Sequence, residues 1–98
     1  MTYLDEIAQA IRDEVSPSDI PEGESDLALL FRLYALVALV KGTEATREDV
    51  HNAWVAWVTA RGEFHESAVP FASLPSETQA EDEPYAAAIR TVADRYSN

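Results

Sequence analysis

Residues 27–40 read LALLFRLYALVALV, and this stretch decides the fold. Arg32 is its one charged side chain, so a helix built from it is apolar on almost every side. The 14 residues rise only about 21 Å as an α-helix, which is short of the roughly 30 Å hydrocarbon core of a membrane. Asp26 before the segment and Gly42 after it are typical of helix ends. We therefore predict a buried central helix over about 25–41 and no membrane span.

Three further long helices and one short helix are predicted from apolar side chains spaced three or four residues apart. Thr2 and Thr46, at the predicted starts of the first and third helices, each precede an Asp three positions on, which is a variant of the capping box. Pro70 and Pro75 prevent a long regular element after the third helix. The predicted fold class is all-α, a small bundle of four main helices. Their ranges are about 2–15, 25–41, 47–61 and 84–96, with a short helix near 75–80 and an irregular loop over 63–74.

The apolar segment also bears on the oligomeric state. A chain of 98 residues is typical of one domain, and we predict that residues 1–98 form a single domain. Leu30 and Leu36 are expected in its core, so that an aspartate at either position would prevent folding. So short a chain can only just cover a helix this apolar. We therefore expect a homodimer to cover part of this helix, or the face that carries Trp54.

Composition limits the partners of the protein. The chain has 18 Asp and Glu against 7 Lys and Arg, a formal charge of −11, and no cysteine. Phosphate contacts depend on Lys and Arg, so we predict no direct DNA or RNA binding. The lack of cysteine excludes disulfides and thiolate metal sites. The acidic N-terminus shows no basic region or cleavage site of a secretory signal, which predicts a cytoplasmic protein.

Sequence patterns for catalysis and metal binding are weak. His51 and His65 have no His-x₃-His or Glu-x-x-His spacing, which argues against a metal site. The serines lack a nucleophile-elbow pattern, and the three glycines cannot build a phosphate-binding loop. We therefore predict a protein that is not an enzyme and that has no metal and no cofactor.

Trp54 and Trp57 are three residues apart and share a helix face. Aromatic side chains bury large areas, so packing in the core is one interpretation for both. The other is a stacking platform, in which His51 supplies a polar edge one turn before Trp54. Arg61, two turns beyond Trp54, is then the nearby cation suited to a phosphate or carboxylate. These residues by themselves leave both interpretations open.

The second half of the chain carries a longer pattern. Its order is His51-x-x-Trp54, Arg61-Gly62, His65, Val69-Pro70-Phe71, Leu74-Pro75, Gln79, Asp82 and an apolar helix with Ile89. This order resembles the ryanodine-receptor repeat (RyR) domain, a small helical module of calcium channels and of bacterial and phage proteins. The resemblance covers about residues 50–92, and it divides the chain into an added helical pair, 1–45, and an RyR-like part, 46–98. The overall layout is similar to small actinobacterial and actinophage proteins, which suggests a phage-encoded protein.

The RyR resemblance implies recognition rather than catalysis. In the channel repeats, the Trp of the His-x-x-Trp motif belongs to a pocket able to take a purine ring, which nominates Trp54 with His51 beside it. We expect a small binding module that recognises a protein partner or a nucleotide-like ligand through the Trp54 face. The candidate ligand-binding residues are Trp54, His51, Arg61, His65 and Trp57.

A different function is suggested by the charge. Residues 13–26 hold six acids and no base. Such a surface mimics nucleic acid, so the alternative function is inhibition of a basic host factor through the negative surface. Many acidic proteins, however, owe their charge simply to solubility.

Overall fold

The computed structural model describes residues 2–21 and 26–96. Its helices are α1 (Tyr3–Glu14), α2 (Leu27–Lys41), α3 (Arg47–Ala60), α4 (Ser76–Ala80) and α5 (Glu83–Tyr96), with single 3₁₀ turns at Pro17–Asp19, Gly42–Glu44 and Phe71–Ser73. No strand occurs in these residues, so the all-α class and the four main helices are confirmed. The predicted beginning of the second helix at residue 25 lies outside the described residues.

Both predicted capping boxes are formed. Before α3, the Thr46 hydroxyl accepts a hydrogen bond from the Asp49 backbone N–H at 3.2 Å, and the Asp49 carboxylate accepts one from the Thr46 N–H at 2.9 Å. Thr2 and Asp5 exchange the same pair of bonds before α1. Gly62 follows α3 with φ at +69°, a conformation that glycine adopts more readily than other residues. Local sequence thus determines where these two helices begin and where α3 ends.

The core lies between α2 and the three other long helices. α2 contacts α1, α3 and α5, and Leu30 is 3% exposed, as predicted for a core position. The largest fully enclosed side chains come from the surrounding helices: Ile11, Val50, Ile89 and Val92. Ala35 and Ala38 of α2 are buried in the same core, and such short side chains leave room for neighbouring helices.

One side of α2 is not covered. Leu36 is 51% exposed, so the prediction that it lies in the core was wrong. Together with it, Leu29, Leu39 and Val40 form an exposed apolar surface, here called the outer α2 face. The reason is geometric, because the helices of this bundle pack against the opposite side, where Leu30 lies. Apolar as α2 is, no helix in the described parts of the chain is long and apolar enough to cross a membrane.

The chain after α3 folds back along that helix and forms one wall of the candidate site. The carbonyl oxygen of Val69 lies 2.6 Å from Nε2 of His51 on α3. The loop is also bound to α4, since the side-chain amide of Gln79 donates a hydrogen bond to the Phe71 carbonyl oxygen at 3.0 Å. These contacts place the irregular 63–74 loop beside α3.

Candidate functional site

A cavity of about 590 Å³ is lined by residues of α2, α3, α5 and the loop after α3. Cavities of about 300–1,000 Å³ are typical of small-molecule sites. All five residues predicted for ligand binding contribute to the lining: His51, Trp54, Trp57, Arg61 and His65. Three of them lie on α3 and Arg61 directly follows that helix. The 63–74 loop then brings His65 to Trp54. Their binding of a ligand stays a prediction.

Trp54 forms an aromatic wall of this cavity. Its side chain is partly exposed, and the ring of His65 meets it edge-on, with the ring centroids 4.9 Å apart. The ring of His51 lies 5.8 Å away and is stacked at an angle of 30°. The His65 ring is itself held, because its Nδ1 accepts a hydrogen bond from the backbone N–H of Ser67 at 3.1 Å. Trp54 is thus packed between two histidines while part of its surface stays open.

His51 has a structural role. Its side chain is buried, and its Nε2 lies 2.6 Å from the Val69 carbonyl oxygen. A carbonyl oxygen only accepts hydrogen bonds, so Nε2 carries a proton and donates it to this bond. The ring of Phe71 packs on the imidazole at a centroid distance of 5.9 Å. His51 therefore fastens the 63–74 loop to α3.

Trp57 and Arg61 form a second aromatic element. Trp57 is 5% exposed, and its Nε1 donates to the Asp26 carbonyl oxygen at 2.9 Å, so core packing is the interpretation that describes it. The Arg61 guanidinium lies 4.2 Å from the centre of the Trp57 ring. It also contacts the carboxylates of Glu63 at 3.1 Å and of Asp26 at 4.0 Å. Because these carboxylates balance its charge, the geometry disfavours the phosphate-binding role predicted for Arg61.

Sequence reasoning missed several polar residues that line the same cavity, among them Tyr34, Asp82 and Tyr85. The Tyr85 hydroxyl donates to the Asp19 carbonyl oxygen at 2.5 Å. Tyr34 is 2% exposed, and its hydroxyl makes no hydrogen bond to any residue that the structure describes. Burial raises the pKa of the Asp82 carboxyl to about 6, while the charge of His51 acts to lower it. The cavity therefore has a polar side as well as an aromatic one.

Two of these three residues had a signal in the sequence. Tyr34 is the one hydroxyl in residues 27–40, and a hydroxyl in a helix predicted to be buried needs a hydrogen-bond partner. Asp82 comes directly before Glu83-Pro84. An acidic residue before Pro is also common at the start of an ordinary helix, so the sequence did not distinguish a cavity residue from a helix start. Tyr85 has no local signal, because it reaches the site through the packing of α5 on α2, where its ring lies 5.3 Å from that of Tyr34.

Similarity to a known family extends over almost the whole chain. Residues 2–94 match the model of a domain of unknown function, DUF7701. The chain belongs to the DUF7701 family. No curated protein and no solved structure matches it significantly.

Membership of DUF7701 overturns the resemblance to the RyR domain, which was wrong. The His51-x-x-Trp54 spacing is what any α-helix needs to place two rings on one face, so it does not distinguish one helical family from another. Pro70 and Phe71 belong to a loop that packs on the α3 of this domain. The roles that the resemblance implied for Trp54 and His51 now rest on the geometry of the cavity alone.

In this DUF7701 domain the cavity combines aromatic surfaces with negative charge. Among its described lining residues are four acidic residues and one arginine: Asp19, Glu63, Glu81 and Asp82 against Arg61. Aromatic rings offer faces for stacking, and carboxylates accept hydrogen bonds and attract cations. In the described ranges, no group of three His, Asp or Glu side chains is placed to hold a metal ion. The lining therefore places aromatic rings beside an excess of acidic residues.

Proposed function

We propose that this DUF7701 domain is a non-catalytic binding domain whose cavity takes a flat aromatic or heteroaromatic ring against Trp54. The observation that carries the proposal is the partly exposed Trp54 ring in a cavity of about 590 Å³. Trp57, three residues away, is enclosed at 5% exposure and so is used for packing. Trp54 is partly exposed and lines the cavity, so a flat ring can pack against the part of the indole that His51 and His65 leave uncovered.

The free energy expected from stacking corresponds to modest affinity of the cavity for a flat ring. Stacking of a base on an aromatic side chain is worth about 1–3 kcal/mol. Because His65 and His51 already pack against Trp54, little side-chain freedom is lost when a ligand stacks on it. A nucleobase has the required shape, so nucleoside-like compounds belong to the proposed class. The phosphate of a nucleotide has no such support, since the guanidinium of Arg61 is bound by Glu63.

The test is a binding screen of adenine, adenosine, AMP, indole and benzamide by ligand-detected NMR titration. We expect flat rings to bind and AMP to bind no more tightly than adenosine. Trp54→Leu removes the stacking surface but keeps an apolar side chain, so it should abolish binding while circular dichroism still reports a helical fold. Tyr96→Leu removes an exposed ring outside the cavity lining, and as the matched control it should bind as the wild type does.

Two outcomes would overturn the proposed function. The first is that no ring of the panel binds to the folded wild type. The second is that Trp54→Leu binds these rings as tightly as the wild type, because the ligand would then sit elsewhere.

The alternative function, inhibition of a basic partner through the acidic surface, draws less support. Within the acidic residues 13–26, Glu14 is paired with Arg95 and Asp26 lies 4.0 Å from Arg61. Residues 22–25 lie outside the described residues. This function stays a prediction, and capture of a basic protein whose affinity falls steeply with added salt would support it.

A further inference from the structure

We infer that the ring bound in the cavity carries a positively charged nitrogen group, such as an amidine, a guanidine or an amine, which the Asp82 carboxylate and the Tyr34 hydroxyl receive. This inference rests on the proposed binding of a flat ring against Trp54. It adds the chemical class of the ligand and the two residues that hold its polar end.

The Tyr34 hydroxyl is the first observation. Tyr34 is 2% exposed and lines the cavity, and its hydroxyl has no hydrogen-bond partner among the residues that the structure describes. In the same part of the chain, every fully enclosed side-chain polar atom has a partner. The hydroxyl therefore keeps a small accessible area, and the space that it faces is the cavity. A buried tyrosine hydroxyl normally has a hydrogen-bond partner, which here is the ligand.

The Asp82 carboxylate is the second observation. It is half-buried directly before α5 and accepts no hydrogen bond from the described residues. The charges that act on it are those of His51, Glu81 and Arg47, and the Tyr34 and Tyr85 hydroxyls lie within its electrostatic reach. Arg47 is bound by Glu83 at 2.8 Å, and Nε2 of His51 donates to a loop carbonyl. A half-buried carboxylate without a donor carries a desolvation cost, which a cationic group of the ligand offsets.

The other charges of the lining favour the same ligand. Three further acidic residues, all exposed, contribute to the lining: Asp19, Glu63 and Glu81. The guanidinium of Arg61 is already engaged by Glu63 at 3.1 Å. An anionic ligand therefore meets repulsion in this cavity, whereas a cation is attracted both by the carboxylates and by the face of Trp54.

Benzamidine, benzamide and benzoate test this inference, because they share a ring and a similar shape but are positive, neutral and negative near neutral pH. Their dissociation constants are measured by ligand-detected NMR titration into the millimolar range. We expect benzamidine to bind about tenfold more tightly than benzamide, as for a charge-assisted hydrogen bond in place of a neutral one. Benzoate should not bind.

Variants assign the preference to the two residues. Asp82→Asn removes the charge with little change of shape, so it should reduce the affinity for benzamidine to that for benzamide. Tyr34→Phe removes only the hydroxyl and should weaken benzamidine by about threefold. Asp13→Asn makes the same change as Asp82→Asn on the exposed surface of α1, and as the matched control it should keep the tenfold preference.

The outcomes separate this inference from the function on which it rests. Equal affinities for benzamidine and benzamide in the wild type, or an unchanged preference in Asp82→Asn, would overturn the cationic class. If both then lose binding in Trp54→Leu, the ring-binding function still stands. If none of the three compounds binds while a ring of the first panel does, this inference fails alone; if no ring of either set binds to the wild type, the ring-binding function fails and this inference fails with it.

Discussion

Replacement of Asp82 by asparagine should stabilise the folded protein near neutral pH. Burial raises the pKa of its carboxyl from 3.8 to about 6, so folding disfavours the charged form of this side chain. Asparagine has nearly the same shape and no charge to bury. It is also among the residues most favoured before a helix, so the beginning of α5 should be preserved.

The magnitude is set by the pKa and by the position of the group. A carboxyl whose pKa is 3.8 in the unfolded chain and about 6 in the folded one carries, when ionised, a cost of about 3 kcal/mol on folding. Solvent screens a half-buried group, and the positive end of α5 favours the anion by up to about 1 kcal/mol. We therefore expect Asp82→Asn to raise the free energy of unfolding by about 1–2 kcal/mol near neutral pH.

The gain should depend on pH in a defined direction. Because the folded-state pKa is the higher one, the folded chain holds the proton more tightly than the unfolded chain does. Below pH 3.8 both states are protonated and the wild-type carboxyl costs nothing. The cost grows as the pH rises from 3.8 and is complete above about 6. The stability difference between Asp82→Asn and the wild type should therefore shrink as the pH falls through this range.

Urea denaturation followed by circular dichroism measures this difference at several pH values between about 4 and 8. Asp13→Asn, on the exposed surface of α1, is the control and should change the free energy of unfolding by less than about 0.5 kcal/mol. Lower stability of Asp82→Asn near neutral pH, or a difference that does not vary with pH, would refute the reasoning. Lower stability would mean that the Asp82 carboxylate has a favourable partner in the folded state, and a difference that does not vary with pH would mean that folding does not shift the pKa of this carboxyl.

Three further outcomes concern the helices. Leu30→Ala should lower the free energy of unfolding in urea denaturation by about 2–5 kcal/mol. Leu36→Ala on the outer α2 face should change it by less than about 0.5 kcal/mol. Equal losses in the two variants would contradict the packing of α2. Thr46→Ala should cost about 1 kcal/mol in the same assay, because it removes the capping box of α3, and an unchanged value would count against that cap. The homodimer predicted from the sequence should give a dimer mass in light scattering, and Leu36→Glu should convert it to a monomer mass where the dimer covers the outer α2 face rather than the face that carries Trp54. A monomer mass of the wild type at every concentration would reject the homodimer.

The helices of this domain could be predicted because they depend on near neighbours. Apolar side chains at helical spacing, with Thr2 and Thr46 as caps, predicted where α1 and α3 begin. Pro70 and Pro75 predicted the irregular loop and the short α4 in the same way, since proline acts on its own turn of the backbone. The sequence by itself therefore determined the all-α class, the order of the helices and which side chains share a face.

Only the tertiary structure decided what each face meets. Trp54 and Trp57 share a face of α3, yet Trp57 is enclosed while Trp54 stays partly open to a cavity. In α2, which is apolar all round, no periodicity marks an inner side, so the burial of Leu30 and the exposure of Leu36 depend on where the other helices pack. Tyr34 and Asp82 are distant in the chain and line the same cavity only because α5 packs on α2. The burial of a side chain and the charges around it depend on contacts between segments that are distant in the chain. A local sequence pattern determines only the turn of helix in which it lies.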